Sequence, residues 1–281
     1  MKIGEECYHC LKRLIDQAVN LATPDRAKRS LAKTSALNIL NQEFSDSAIP
    51  AQIATKFHGV IIDITRNADP YLEMKRGAMN MAKRIFKEVA PIYGKDFKSL
   101  LKLSVLGNAI DFFRKSEEVE ADIKGEVNFA VDHEEKLEKL LEKNEGTILF
   151  LADNAGEQYF DLPLIRHLEK QNFEVIYVVK KDPVQNDLTM EDLRLSGTLG
   201  QFKRVSTTGT ATVGLDLTMV SESFMKTFDT AKLIVAKGMG YYETLSHLPE
   251  RGNILHLLMA KCRPVAESIG VPVNSYIAWL R

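Results

Sequence analysis

Tryptophan occurs once and cysteine only three times in the chain. Three cysteines cannot close a disulfide framework, so a small secreted scaffold is excluded and a reducing, cytoplasmic setting is expected. Apolar runs long enough to cross a bilayer are missing. The stretch from Met1 to Cys7 lacks an apolar core, so no signal peptide is expected. Neither sign of charge dominates: 37 lysines and arginines face 38 aspartates and glutamates. Nothing in that balance favours nucleic acid or an anionic membrane as a partner. Low-complexity tracts and internal repeats are absent too. What is present suits an ordinary globular protein. Hydrophobic residues make up 45% of 281 positions, enough for one large domain or two ordinary ones with a substantial core.

The period of the apolar residues changes part-way along the chain. In the first half Leu11, Leu14, Ile15, Ala18 and Val19 follow helical spacing. Thr23-Pro24, Ile49-Pro50 and Asp69-Pro70 read as helix starts, with Thr23 as a cap and proline at the first position. A long helical pattern runs from Met74 to Val89, and Asp96 can cap another that carries Leu100 to Leu106. Asp132 to Asn144 reads as a charged helix bridging two halves. Beyond it come five short apolar runs: Thr147–Ala152, Phe173–Val179, Phe202–Ser206, Lys232–Ala236 and Asn253–Met259. Helix-like segments at Gln158–Gln171, Met190–Ser196 and Ser221–Phe228 lie between several of them. That alternation is the pattern of a largely parallel sheet with crossover helices. The simplest division is a helical part over residues 1–135 and an α/β part over residues 136–281.

Ligands of open α/β sheets bind beyond the carboxyl ends of the strands, so strand ends are the places to look for chemistry. The run Ile148–Ala152 ends in Asp153-Asn154-Ala-Gly-Glu157. A carboxylate and an amide oxygen suit Mg²⁺, Mn²⁺ or a similar hard ion, and Gly156 would let backbone approach a ligand. The same residues also read as a capping box, with Asn154 as cap and Glu157 three residues on. Asn186-Asp187-Leu-Thr189-Met-Glu191-Asp192 follows the next strand, where Asp187 could lie beside Asp153; it also reads as a loop feeding a helix capped by Asp187 or Thr189. Lys237-Gly238-Met-Gly240-Tyr-Tyr242-Glu243 ends a further strand. A lysine backed by two glycines can meet a phosphate, or the glycines are an ordinary turn. It is not a Walker A loop, because the lysine precedes the glycines. Gly107-Asn108-Ala-Ile-Asp111 breaks a helical pattern with two poor helix formers, which marks a functional site or a helix end. Asp69-Pro-Tyr71-Leu-Glu-Met-Lys75 is explained as a helix start, with Lys75 a solvated charge. Cys7-x2-Cys10 could bind metal or cycle as a dithiol, or be two semi-buried helix thiols. Cys262 and the histidines form no ligand spacing with it.

Taken together, and in this order along nearly the whole chain, these motifs resemble the metal-dependent damage-control phosphatase family, in its prokaryotic branch with an N-terminal Cys-x2-Cys. The chain departs from the family at Tyr241, where an asparagine is usual. The resemblance implies an α/β fold in which an N-terminal α-helical part packs on a three-layer α/β/α Rossmann-like domain. It implies a divalent metal (Mg, Mn, Co or Ni) held by Asp153, Asn154 and Asp187. Asp153, Asn154 and Lys237 would be catalytic, and Asn108, Asp111, Glu157, Lys237 and Gly238 would surround the substrate. The implied reaction is hydrolysis of a phosphomonoester of a small metabolite, such as a sugar phosphate. The alternative from another class is a phosphometabolite-binding protein without turnover. Ala155 stands where haloacid-dehalogenase phosphatases carry a second aspartate, which excludes that mechanism. Methyl transfer finds no glycine-rich cofactor loop after the first of the five strands.

Overall fold

A computed structural model describes residues 3–109, 126–143 and 145–281. Helix α1 (Glu5–Ala22) buries Leu11, Ile15, Ala18 and Val19 along the stripe its spacing predicts. Helix α2 (Arg26–Glu43) starts two residues later than expected. Asp25, not Thr23, is its cap, accepting from the Ala27 and Lys28 amides at 2.8 and 3.1 Å. The Thr23 hydroxyl instead accepts from the Asp25 amide, so it sets the linker and leaves the cap to the carboxylate. Helix α3 (Pro50–Thr65) takes Pro50 at its first position. Helix α4 (Leu72–Val89) follows, and α5 (Phe97–Gly107) is capped by Asp96. Helices α1 to α3 share an apolar core with Tyr71. Helices α4 and α5 turn their apolar sides to the sheet instead.

Among the described residues seven strands form one sheet. They are β1 (Phe129–Asp132), β2 (Thr147–Leu151), β3 (Glu174–Val179), β4 (Val205–Thr207), β5 (Leu233–Lys237), β6 (Ile254–Ala260) and β7 (Ser275–Leu280), in the spatial order β1-β7-β6-β5-β2-β3-β4. Every neighbouring pair is parallel except β6 with β7. The five expected runs are β2 to β6. Strands β1 and β7 lie outside them because neither is a continuous apolar run: β1 alternates between half-buried and exposed, and only Ile277 and Ala278 of β7 are buried. With β1 in the sheet, the sheet's stretch of chain begins by residue 129, ahead of residue 136.

The remaining α-helices among the described residues are α6 (Glu134–Leu141), α7 (Gln158–Lys170), α8 (Met190–Leu195), α9 (Glu222–Thr230), α10 (Gly238–Leu245) and α11 (Arg263–Ile269). Side chains of a strand point to alternate faces, and β2 shows what that does. Ile148 and Phe150 pack against α5 and α7, while Leu149 and Leu151 pack against α9 and α10. The result is the three-layer α/β arrangement with helices on both faces. No helix among the described residues is long and apolar enough to cross a membrane.

The helical half is tied to the sheet half by an ion cluster that overturns one expectation. Lys75 is not a solvated charge. Its side chain is fully buried, 2.6 Å from Asp69 Oδ2 and 2.9 Å from Asp192 Oδ2. Asp192 in turn completes a capping box with Thr189 at the start of α8. So the Asp69 turn, α4 and the loop after β3 meet at one ammonium. Removing one partner of a buried pair leaves the others uncompensated, typically at a cost of about 3–5 kcal/mol. Lys75→Met is therefore expected to lose stability in that range in chemical denaturation. A loss within about 0.5 kcal/mol, typical of surface substitutions, would show that the cluster does not hold the halves together.

Candidate active site

The sheet order places a switch point between β2 and β5. From β2 the chain moves through β3 to β4 on one side, while β5 and β6 lie on the other. Ligand crevices form at such points, and Asp153 and Lys237 stand there at the ends of β2 and β5. The loop after β3 is stitched to the same place by backbone. The Leu188 amide donates to the Asp153 carbonyl at 2.8 Å, and the Ala155 amide to the Asn186 carbonyl at 2.9 Å. Asn154 and Asp187 form an isolated bridge. Asp153, Asn154 and Asp187, from two separate loops, are thus neighbours.

Glu157 organises the interior of the site. It is fully buried and its Oε1 accepts from the side-chain amides of Asn108 (2.9 Å) and Asn154 (2.8 Å). Its Oε2 accepts from Lys237 at 2.9 Å. The expected capping box at Asn154 and Glu157 is not formed, because α7 begins only at Gln158 and Glu157 itself precedes it. Asn154 then has its amide nitrogen committed to Asp153 Oδ2 and Glu157, which leaves its oxygen as the ligand-facing atom. Asn108 is held just as firmly: its nitrogen also donates to Asp153 Oδ2 at 2.9 Å, and its oxygen accepts from the Met259 amide of β6. It braces Asp153 from the end of α5. Asp111 lies outside the described residues.

Lys237 differs most from expectation. Its ammonium is fully buried and its three protons go to the Ser104 carbonyl, Glu157 and Asp161, at 2.9, 2.9 and 2.6 Å. All three bonds are made within the protein, where the lysine compensates two buried carboxylates. Burial alone would lower its pKa, but Asp161 and Glu157 outweigh that and hold it above the ordinary lysine value. Gly238 likewise serves the protein. It has φ +78°, and a Cβ there would fall inside the Asp153 carboxylate. Gly156, expected to admit a ligand, faces Ala78 and Ala82 of α4, so it admits a helix.

Asp153 and Asp187 carry the electrostatic tension. Burial raises the pKa of Asp153 well above the usual carboxylate value, and the charges of Glu157 and Asp187 raise it further; Lys261 and then Lys237 oppose this. Burial pushes Asp187 up to about 6 against the pull of Lys180, whose ammonium lies 3.4 Å from Asp187 Oδ2. Among the described residues Asp153 has no ion pair and its Oδ1 takes no hydrogen bond. Two carboxylates and an amide oxygen, gathered with a local deficit of positive charge, are a donor set that fits a hard divalent cation.

The structure adds residues that the motif reading did not single out. Asp161 shares Lys237 with Glu157, and Lys180 and Lys261 flank the carboxylates. One signal was present in the sequence: the apolar runs of β3, β5 and β6 each give way to lysine, at 180, 237 and 261, and parallel strands bring those ends to one edge. None of the cysteines is in a disulfide; Cys7 is buried, Cys10 exposed and Cys262 between. Burial pushes the Cys262 thiol up to about 12. Among the described residues no three His, Cys, Asp or Glu side chains stand in metal-holding geometry; the Asp153 set has two carboxylates and an amide.

Comparison with known proteins agrees with this architecture. Residues 3–277 match the family model described as the damage-control phosphatase ARMT1-like domain. The chain belongs to that family. It is 35% identical over 284 residues to a damage-control phosphatase of Pyrococcus horikoshii, covering 99% of this chain and 97% of that protein. It is 32% identical over 285 residues to a damage-control phosphatase of Archaeoglobus fulgidus, covering 99% of both. A crystal structure of a DUF89 family protein from Pyrococcus horikoshii superposes with a TM-score of 0.87 at 34% identity, covering 100% of this chain and 99% of that one. Family membership makes this damage-control phosphatase homologue a hydrolase.

Two substitutions test the assembled site. Gly238→Ala is expected to displace the Asp153 carboxylate and reduce phosphatase activity at least tenfold, about 1.4 kcal/mol in the barrier, with the circular-dichroism spectrum unchanged. Lys237→Met, which strands Glu157 and Asp161, is expected to destabilise the fold by about 3–5 kcal/mol in denaturant titration. Wild-type stability in that variant would argue against Lys237 as the internal counter-charge.

Proposed function

We propose that this chain is a divalent-metal-dependent phosphomonoester hydrolase acting on small phosphorylated metabolites, sugar phosphates and their damaged or side-product forms among them. One observation carries the reading: Asp153, Asn154 and Asp187 meet at the switch point of the sheet, on loops hydrogen-bonded to each other through backbone. These three residues would hold the cation, which when bound supplies Lewis-acid polarisation of phosphoryl oxygen and activation of water. Mg, Mn, Co and Ni all suit such donors. Asn108 and Asn154 fix Asp153 Oδ2, so Oδ1 is the oxygen presented to the ligand. Glu157 keeps both amides in place and is itself neutralised by Lys237. Lys261, partly exposed after β6 and opposing the rise in Asp153's pKa, is the lysine we place at the phosphoryl group to offset its charge. Three cysteines outside any disulfide suit a reducing, cytoplasmic setting.

Phosphate release from p-nitrophenyl phosphate and a panel of sugar phosphates, after metal stripping and readdition of each ion, tests this. Activity is expected to vanish in chelator, to return with a divalent ion, and to be lost in Asp153→Asn and Asp187→Asn. Turnover indifferent to chelator would sink the metal reading. Tight metal-dependent binding with no release across the panel would favour a binding protein.

The pH dependence has a definite sign. Asp187 has a folded pKa near 6, raised by burial, so part of the population carries a proton at pH 6 that a cation must displace. At pH 8 that proton is already gone. Metal affinity is therefore expected to rise from pH 5 to pH 7, and proton release on binding to fall over the same range. Calorimetry in buffers of different ionisation heat reads both. In the metal-free protein the sign is opposite for stability. A carboxyl with a raised pKa favours folding while protonated, so its contribution is lost as pH climbs from about 4 through about 6.

A further inference from the structure

Tyr241 has no role in the site described above. Its ring is 1% exposed and packs with Leu149, Leu151, Val178 and Leu215. Its hydroxyl is buried and has no hydrogen-bond partner among the described residues. A phenylalanine would fill the same volume and present the same ring face without stranding a polar group, and an unsatisfied buried hydroxyl is a cost to folding. Packing does not account for the oxygen.

Its surroundings point to the metal-ligand carboxylates. Tyr241 lies in the first turn of α10, three residues after Gly238, the residue pressed against Asp153. The Lys180 ammonium sits 4.3 Å from the ring centroid and 3.4 Å from Asp187 Oδ2, and it also donates to the Gly214 carbonyl. Burial, and then the charges of Asp187 and Asp153, raise the pKa of the phenol above its ordinary value. The hydroxyl is thus an unused neutral donor on a ring that shares one ammonium with the Asp187 carboxylate. A divalent ion at Asp187 would repel that ammonium. Carboxylates that ligate metal are held by further hydrogen bonds, and a neutral donor serves where a charged one is driven off.

We propose that the Tyr241 hydroxyl is a positioning donor that takes the Asp187 carboxylate as its acceptor once a divalent cation has loosened Asp187 from Lys180. The tyrosine ring meanwhile holds the displaced ammonium through its π face. This rests on the metal-site reading above. Because water cannot reach the hydroxyl, it acts on the ligand and not on substrate.

The test is titration of metal-stripped wild type and Tyr241→Phe with Mn²⁺ by calorimetry, alongside the thermal midpoint of each protein in chelator. The variant is expected to bind Mn²⁺ about 10- to 100-fold more weakly, the usual effect of losing such a partner. Its metal-free midpoint should be equal to or above wild type, because the stranded hydroxyl is gone. A merely structural role predicts the reverse: a lower midpoint with unchanged affinity. Equal affinity in the two proteins would overturn the proposal while leaving the metal site standing. Failure of the wild type to bind Mn²⁺ would overturn both.

Discussion

A single buried ammonium underlies the site. Lys237 donates to the Ser104 carbonyl of α5 and to Glu157 and Asp161 at the head of α7, so two helices converge on the end of β5. Two carboxylates can be buried there only because a cation lies between them and every proton of it is used. From Glu157 the constraint passes outward through Asn108 and Asn154 to Asp153. The orientation of the ligand-facing atoms is therefore set from inside the protein.

The site is built as two charge compartments. The inner one, Lys237 with Glu157 and Asp161, is complete. The outer one, Asp153 and Asp187 with Lys180 and Lys261 beside them, is held more loosely, and burial raises the pKa of both carboxylates. A hard cation bound to the outer compartment, as proposed, would leave the inner one undisturbed. The same division separates rigid from adjustable parts. The inner bonds lie between 2.6 and 2.9 Å, whereas Lys180 touches Asp187 at 3.4 Å.

Much of this was legible in the chain. The five apolar runs gave strands β2 to β6, because fully buried parallel strands leave continuous apolar stretches. Asp153, Asn154 and Asp187 were visible because polar residues that end such runs must sit at the sheet's carboxyl edge. Legibility failed where residue type had two uses. Lys75 and Lys237 look like lysines for solvent or ligand, yet both are interior counter-charges for carboxylates distant in sequence. Gly156 and Gly238 look like glycines for a ligand, yet one makes room for α4 and the other for Asp153. Strands β1 and β7 escaped because neither is a continuous apolar run: β1 is a short, half-exposed edge strand, and β7, between β1 and β6, buries only Ile277 and Ala278.

The sequence by itself determined the class of fold and the place of Asp153, Asn154 and Asp187 beyond strand ends, since period and strand-end chemistry are local properties of the chain. Only the tertiary structure decided which charges face inward. A carboxylate's partner is chosen by proximity in space, and Lys237 finds Asp161 only after β5 has been laid beside β2 and α7 has folded back across them.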